Sequence, residues 1–272
     1  GTFSIKTLGC KYNQYESALI VTALSSAGWK AVPFGDHADI VIVNTCTVTD
    51  SADKKCRNYI RQGARFASSG GVIVVGCMPK RQGARINEMR EITAVVDNAD
   101  REHLVENILA AAGYTLDRRA VFSEEDSQPY GRVRSFIRVQ DGCDGECSYC
   151  IVPSVRGKPV SRPFDEVIRH AEKSVAGGAH ELVLTGITIG KYSSEGRDLA
   201  DLAESLMRIK GDFRIRITSI EPRHMTEKLA SLYANPKLAP HSHLPLQSGS
   251  DGILSRMKRP YNREEYFESI TL

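Results

Sequence analysis

The sequence predicts an α/β protein: an N-terminal doubly wound parallel sheet followed by a partial (β/α) barrel, truncated at its C-terminus. Three observations predict it. Short apolar runs such as Ile40–Val43 and Val72–Val75 alternate with helix-like stretches, the pattern of a parallel sheet covered on both faces. Residues 115–132, which include Ser123-Glu124-Glu125-Asp126-Ser127-Gln128-Pro129, lack apolar periodicity and read as a linker. The alternation then resumes for only four units, whereas a closed barrel needs about eight.

In the first unit, residues 1–114, Phe3–Leu8 reads as a strand and Gln14–Ala27 as a helix stopped by Gly28. Ile40–Asn44 is the second strand, and Ser51–Ala67 is a helix with Asp50 as its cap. Val72–Gly76 and Ala94–Asp97 are the next strands, followed by helices Arg81–Met89 and Glu102–Ala112. In the second unit, residues 133–272, strands Phe136–Gln140, Glu181–Thr185, Arg214–Ser219 and His243–Leu246 alternate with four helices: Phe164–Ala176, Leu199–Ile209, Thr226–Ala234 and Asp251–Lys258.

Composition narrows the function classes. With 41% hydrophobic and 25% charged residues the chain has an ordinary globular balance. A net charge of +3 is too small to argue for nucleic acid on bulk electrostatics. No apolar run approaches the length of a transmembrane helix and no secretory signal is evident, so a cytoplasmic protein without membrane contact is expected. The cysteines number seven, an odd count in a chain long enough to fold without staples, which points to metal or catalytic roles in a reducing compartment.

Cys143, Cys147 and Cys150 form a Cys-x3-Cys-x2-Cys run after the first strand of the second unit, where barrels carry ligand loops. Three thiolates on one tight loop suit a soft metal centre. Zinc would ask for a fourth, distant ligand; a 4Fe–4S cluster held by three cysteines would leave one iron open to a substrate. Cys10, Cys46 and Cys77 each follow a predicted strand of the first unit. Parallel strands end on one edge, so topology alone brings these three together as a second centre. Cys56 lies mid-helix and reads as structural, although Lys54, Lys55 and Arg57 would lower its pKa if it were exposed.

The Cys143–Cys150 run, with Tyr149 before the last cysteine, resembles the cluster loop of radical S-adenosylmethionine enzymes. Together with the three-cysteine α/β unit, the whole chain resembles the methylthiotransferase family. The carrying segments include Gly9-Cys10-Lys11-Tyr12-Asn13-Gln14-Tyr15-Glu16-Ser17, Asn44-Thr45-Cys46, Val75-Gly76-Cys77, Gln140-Asp141-Gly142-Cys143, Ser219-Ile220-Glu221-Pro222 and Leu244-Pro245-Leu246-Gln247. The resemblance implies two 4Fe–4S clusters. Cys143, Cys147 and Cys150 would hold the one that cleaves S-adenosylmethionine to a 5′-deoxyadenosyl radical, and Cys10, Cys46 and Cys77 an auxiliary cluster tied to sulfur supply. It also implies that Tyr149, Thr185, Gly186, Ser219, Glu221 and Gln247 line the cofactor site, that Lys11 and Arg156 are cations for the substrate, and that a flavodoxin- or ferredoxin-like protein donates the electron. The source of the sulfur is left open.

Within the family, the Cys10 stretch is similar to the branch acting on threonylcarbamoyladenosine in tRNA. Other branches act on isopentenyladenosine in tRNA or on an aspartate of a ribosomal protein, and a non-enzymatic reading is a two-cluster electron carrier. The family's small C-terminal RNA-binding β domain is expected to lie outside these residues. His241 and His243, on one face of the fourth predicted strand, read as structural, and Met257-Lys258-Arg259 as a basic helix end that suits the helix dipole.

Overall fold

The computed structural model describes residues 1–96, 103–115 and 133–272. The predicted linker from 116 onward, Asp97 of the fourth strand and Glu102 of the last N-terminal helix lie outside the described residues. The chain separates into two compact units, Gly1–Tyr130 and Gly131–Leu272.

In the first unit, β1 (Thr2–Thr7), α1 (Lys11–Ser26), β2 (Lys30–Ala31), β3 (Ala38–Thr45), α2 (Asp50–Gly63), β4 (Ala67–Gly76), α3 (Met78–Asn87), β5 (Ala94–Val95) and α4 (Leu104–Ala111) follow one another. The strands form one parallel sheet in the order β2-β1-β3-β4-β5. Alternate residues of the central strands face opposite layers. Ile40, Ile42, Ile73 and Val75 pack with Ile20 and Leu24 of α1 and Ile108 of α4. Val41, Val43, Val72 and Val74 pack with Ile60 of α2. Both faces are therefore apolar, which is why these strands read as unbroken hydrophobic runs.

Several boundaries differ from the sequence reading: α2 stops at Gly63, β4 already begins at Ala67, α3 spans Met78–Asn87, and two helix starts have a specific cause. α1 begins at Lys11, directly after Cys10, because Cys10 is extended and its carbonyl accepts the first helical bond, from Gln14 N–H at 3.2 Å. The cap of α2 is Thr49, whose hydroxyl accepts from Ala52 N–H; Asp50 is already helical.

The second unit holds β6 (Arg134–Arg138), β7 (Gln140–Asp141), α5 (Val152–Arg156), β8 (Val160–Ser161), α6 (Phe164–Ala176), β9 (Glu181–Thr185), β10 (Ser193–Ser194), β11 (Arg197–Asp198), α7 (Leu199–Met207), β12 (Arg214–Ile217), α8 (Glu227–Ser231), α9 (Asp251–Arg256) and α10 (Arg263–Thr271). A parallel sheet β12-β9-β6 packs Ile137, Leu182, Leu184, Ile215 and Ile217 against α6 and α7. The short pairs β7–β8 and β10–β11 are antiparallel and have no counterpart in the sequence reading.

The fourth predicted strand, His243–Leu246, does not form. In its place a single parallel bridge joins Ile215 to Leu238, and Ile220 N–H donates to His243 O at 3.0 Å. Pro240 precedes the segment and Pro245 lies inside it; neither offers an N–H to a ladder, so the run does not pair into the sheet.

Gly76 ends β4 at φ +99°, and a β-carbon there would lie 2.4 Å from Thr45 O. Gly28, at φ +82°, has open space around it. Gly28→Ala is expected to cost only the left-handed penalty of about 1–2 kcal/mol. Gly76→Ala must add a clash with the neighbouring strand and lose clearly more. Denaturant unfolding of the two variants checks the difference.

Candidate functional site

Cys10 caps α1, Cys46 follows β3 and Cys77 sits between β4 and α3, so all three lie at the C-terminal edge of the five-stranded sheet. The edge is stitched by hydrogen bonds that continue past the strand ends. Leu8 N–H donates to Asn44 O at 2.9 Å, and Cys77 N–H to Thr45 O at 3.0 Å. Buried Asn13 donates through Nδ2 to Leu8 O and to Thr45 O, both at 2.9 Å. Asn44 Nδ2 donates back to Asn13 O at 3.0 Å and to Ser17 Oγ at 3.1 Å. Thr45 Oγ1 donates to Val75 O at 2.6 Å and accepts from Met78 N–H at 3.3 Å. Each cysteine-bearing segment is thus bound to its neighbour. The spacing is close enough that a β-carbon on Gly9 would fall 3.1 Å from Cys46 Sγ.

Cys46 and Cys77 are buried and Cys10 is exposed. Among the described residues no three His, Cys, Asp or Glu side chains converge as they would on a single metal ion. Three sulfurs on neighbouring turns are the donor type that a cubane cluster takes, one thiolate to each of three irons. Cys56 is fully buried: its Sγ accepts from Cys46 N–H at 3.4 Å and donates to Cys46 O at 3.3 Å. Burial pushes its thiol up to about 11, so the nearby basic residues do not activate it, and its role is to pin the backbone of Cys46.

The second set lies on the loop between β7 and α5. Gln140 is its buried anchor. Gln140 Nε2 donates to Asp141 O at 2.6 Å and Gly142 O at 2.8 Å, while Oε1 accepts from Ile187 N–H at 3.1 Å and Thr188 N–H at 2.7 Å. Cys143 N–H donates to Gly157 O at 2.9 Å, and Gly145 N–H to Cys143 Sγ at 3.2 Å. Ser148 docks on the end of α9, its N–H reaching Met257 O and its hydroxyl Arg256 O, both at 3.1 Å. Burial, then the neighbouring Cys147 and Cys143, push the Cys150 thiol up.

The other sequence candidates are distributed as follows. Thr185 ends β9 and is buried. Gly186 packs on Gln140, whose carbonyl would lie 3.0 Å from a β-carbon there, so the loop anchor itself requires a small residue. Ser219 is exposed and its Oγ meets His243 Nδ1 at 2.5 Å. Glu221 lies between Arg259, at 2.9 Å, and Arg223, at 3.4 Å. Tyr149 is half exposed. Gln247 is exposed at φ +65° on the irregular segment that replaces the fourth strand, a correction to its expected place on that strand. Lys11 is exposed on the first turn of α1 rather than in a loop. Arg156 is 4% exposed and faces Asp141 at 3.9 Å, so its charge is turned toward the cluster loop and not outward.

The sequence reading missed Arg259. Its guanidinium is 5% exposed and donates to Cys147 Sγ at 3.1 Å and to Glu221 Oε1 at 2.9 Å. Burial works against its charge, but Glu221 first, then Tyr261 and Cys147, outweigh that and raise its pKa. Its place three residues past α9 made it look like a dipole partner; the signal that distinguishes it is a contact over 112 positions, which no local pattern carries.

Comparison with known proteins agrees with both units. Residues 2–97 match the uncharacterized protein family UPF0004, and residues 137–272 match the radical SAM superfamily. A threonylcarbamoyladenosine tRNA methylthiotransferase of Chlamydia pneumoniae is 37% identical over 99% of this chain and 63% of its own length. One of Aquifex aeolicus is 32% identical over 98% of this chain and 68% of its length. A tRNA-2-methylthio-N(6)-dimethylallyladenosine synthase of Geobacter metallireducens is 34% identical over 98% and 64%. The chain therefore spans somewhat less than two thirds of several curated relatives. Among solved structures, a radical S-adenosylmethionine methyltransferase of Kitasatospora setae, with cobalamin and a 4Fe–4S cluster bound, aligns with TM-score 0.66 over 99% of this chain and 66% of its own, at 14% identity, a likeness of fold.

Asn13→Ala is expected to remove the side-chain donor from Leu8 O and to leave Thr45 O with Cys77 N–H alone, at a cost of about 1–2 kcal/mol. Urea unfolding of the variant beside the parent chain checks the loss.

Proposed function

This chain belongs to the radical S-adenosylmethionine superfamily and to its methylthiotransferase family, and from that premise we propose that it serves in methylthiolation of tRNA, at C2 of N6-threonylcarbamoyladenosine in the anticodon loop. The observation that carries the reading is the pair of three-cysteine sets, one at the C-terminal edge of the five-stranded parallel sheet and the other on the single loop between β7 and α5. An electron carrier caps every iron, whereas sets of three leave a position for a reactant. No helix among the described residues is long and apolar enough to cross a membrane.

In this reading Cys143, Cys147 and Cys150 hold the cluster that, with S-adenosylmethionine bound, supplies one-electron chemistry. The chain's own residues do the rest. Gln140 fixes the loop against the turn after β9, Arg156 neutralises Asp141 beneath it, and Glu221, Ser219 and Thr185 stand at the strand ends where a cofactor is oriented. Tyr149, Gly186 and Gln247 complete that rim. Cys10, Cys46 and Cys77 hold the auxiliary cluster and handle sulfur. The electron comes from a flavodoxin- or ferredoxin-like donor in a cytoplasmic setting.

The threonylcarbamoyl acceptor is supported by the Gly9–Ser17 stretch, and relatives of that name are 32–37% identical beside dimethylallyladenosine enzymes at 32–35%. A threonylcarbamoyl group offers a carboxylate and a hydroxyl, which a cation such as Lys11 would meet, whereas an isopentenyl group needs an apolar pocket.

Anaerobic reconstitution is expected to load about 8 iron as two clusters. Replacing Cys143, Cys147 and Cys150 by Ala should leave about 4 and abolish cofactor cleavage; replacing Cys10, Cys46 and Cys77 should also leave about 4 but spare cleavage. Iron analysis with a 5′-deoxyadenosine assay checks both, and full retention of iron in the second variant would refute the auxiliary site.

Competitive turnover of tRNAs bearing the two modified adenosines, read by nucleoside mass analysis, is expected to give methylthio product chiefly from the threonylcarbamoyl form. Equal product would remove the acceptor assignment and leave the radical chemistry standing.

A further inference from the structure

Arg259 is placed by the same turn that holds the cluster loop. After α9 the chain turns back through Lys258 at φ +54°, closed by Lys258 N–H to Ser255 O and Arg259 N–H to Leu254 O, both at 2.9 Å. Two carbonyls of this turn, Arg256 O and Met257 O, accept from Ser148 of the loop. The guanidinium and Cys147 are therefore fixed to a common piece of backbone on either side of their 3.1 Å contact. The ring of Tyr261, 5.0 Å from the guanidinium carbon, covers the arginine, and the side chain is 5% exposed.

We propose that Arg259 is a positioning residue that sets the reduction potential of the cluster on the Cys143–Cys150 loop and, through its second edge, holds Glu221 at the cofactor rim. The inference rests on the reading of that loop as the radical-cluster site. One-electron reduction adds negative charge to a cluster and its thiolates. A cationic N–H donor on a ligand sulfur stabilises the reduced form more than the oxidised one, and the effect is strongest where water is excluded. Glu221 opposes it, since its carboxylate neutralises part of the arginine charge at 2.9 Å. The two residues therefore act on the potential with opposite sign. The forked guanidinium can serve sulfur and carboxylate at once, which a lysine ammonium cannot do in the same geometry.

The test uses the full chain carrying C10A, C46A and C77A, so that the only cluster reports on the Cys143 loop. The reduced fraction is read by electron paramagnetic resonance at a fixed potential, with iron content measured in parallel. Arg259→Met is expected to lower the reduced-to-oxidised ratio about tenfold, a midpoint about 59 mV more negative for a one-electron couple. Arg259→Lys should keep its iron and fall between Met and the parent, and Glu221→Gln should raise the ratio. If Arg259→Met loses its iron, Arg259→Lys and Glu221→Gln decide the matter. An unchanged ratio in Arg259→Lys, loss of its iron, or a shift of Glu221→Gln in the same direction as Arg259→Lys overturns the proposal. A background chain that binds no iron overturns the loop assignment itself, and this inference with it.

Discussion

The candidate auxiliary site depends on how the backbone groups just beyond the parallel ladder are satisfied. A strand that stops leaves carbonyls and amides without a neighbour, and burying them unpaired is costly. Here the side chains of Asn13, Asn44 and Thr45 take over where the ladder ends, bonding Leu8 O, Asn13 O, Thr45 O and Val75 O in turn. The cost is met by placing polar residues inside an otherwise apolar sheet. The return is that three loops remote in sequence keep a fixed spacing, and three cysteines inherit that spacing. Cys56 adds a further tie from the helix side, through both backbone groups of Cys46.

The second set of cysteines meets the same problem within a single loop, which no sheet edge can hold along its length. Its anchors come from three directions. Gln140 binds the start of the loop to the turn after β9, Gly157 O receives Cys143 N–H, and the end of α9 receives Ser148. The β7–β8 pair closes the base of the loop as a two-residue antiparallel ladder. Ordering a loop costs entropy for each residue fixed, and these contacts, spread from Gln140 to Ser148, offset that before any metal is bound. The two cysteine sets are thus held by different means, one by register and the other by side-chain anchors.

What was legible in the sequence follows from how local each signal is. β9 and α6 appear with the bounds read from the sequence, Glu181–Thr185 and Phe164–Ala176, because an apolar run and a proline before a helix are local facts. The grouping of Cys10, Cys46 and Cys77 at one edge was legible too, since parallel topology converts a position after a strand into a place in space. The unformed strand at His243–Leu246 was misread because its apolar residues outweighed Pro240 and Pro245, although it is the prolines that decide pairing. The β7–β8 pair, the burial of Arg156 against Asp141 and the reach of Arg259 to Cys147 were not legible. Each is a contact between segments whose own patterns give no hint of the partner.

Charge placement around the cluster loop carries the argument one step further. The loop and its base carry three carboxylates, Asp141, Asp144 and Glu146, beside the three sulfurs of Cys143, Cys147 and Cys150. Each carboxylate has its own cation: Arg156 for Asp141 at 3.9 Å, Lys191 for Asp144, and Lys258 for Glu146 at 3.9 Å. The Lys191 contact holds the Asp144 carboxyl below its ordinary range, whereas the Glu146 pair is largely exposed and adds little. The acidic groups are thus balanced among themselves, and Arg259 directs one edge to sulfur. Losing any of the exposed pairs leaves the sulfurs' surroundings nearly as they were. Losing Arg259 removes the cation in contact with Cys147 and leaves Glu221 with Arg223, at 3.4 Å, as its partner, so the charge next to this sulfur turns on a single buried side chain.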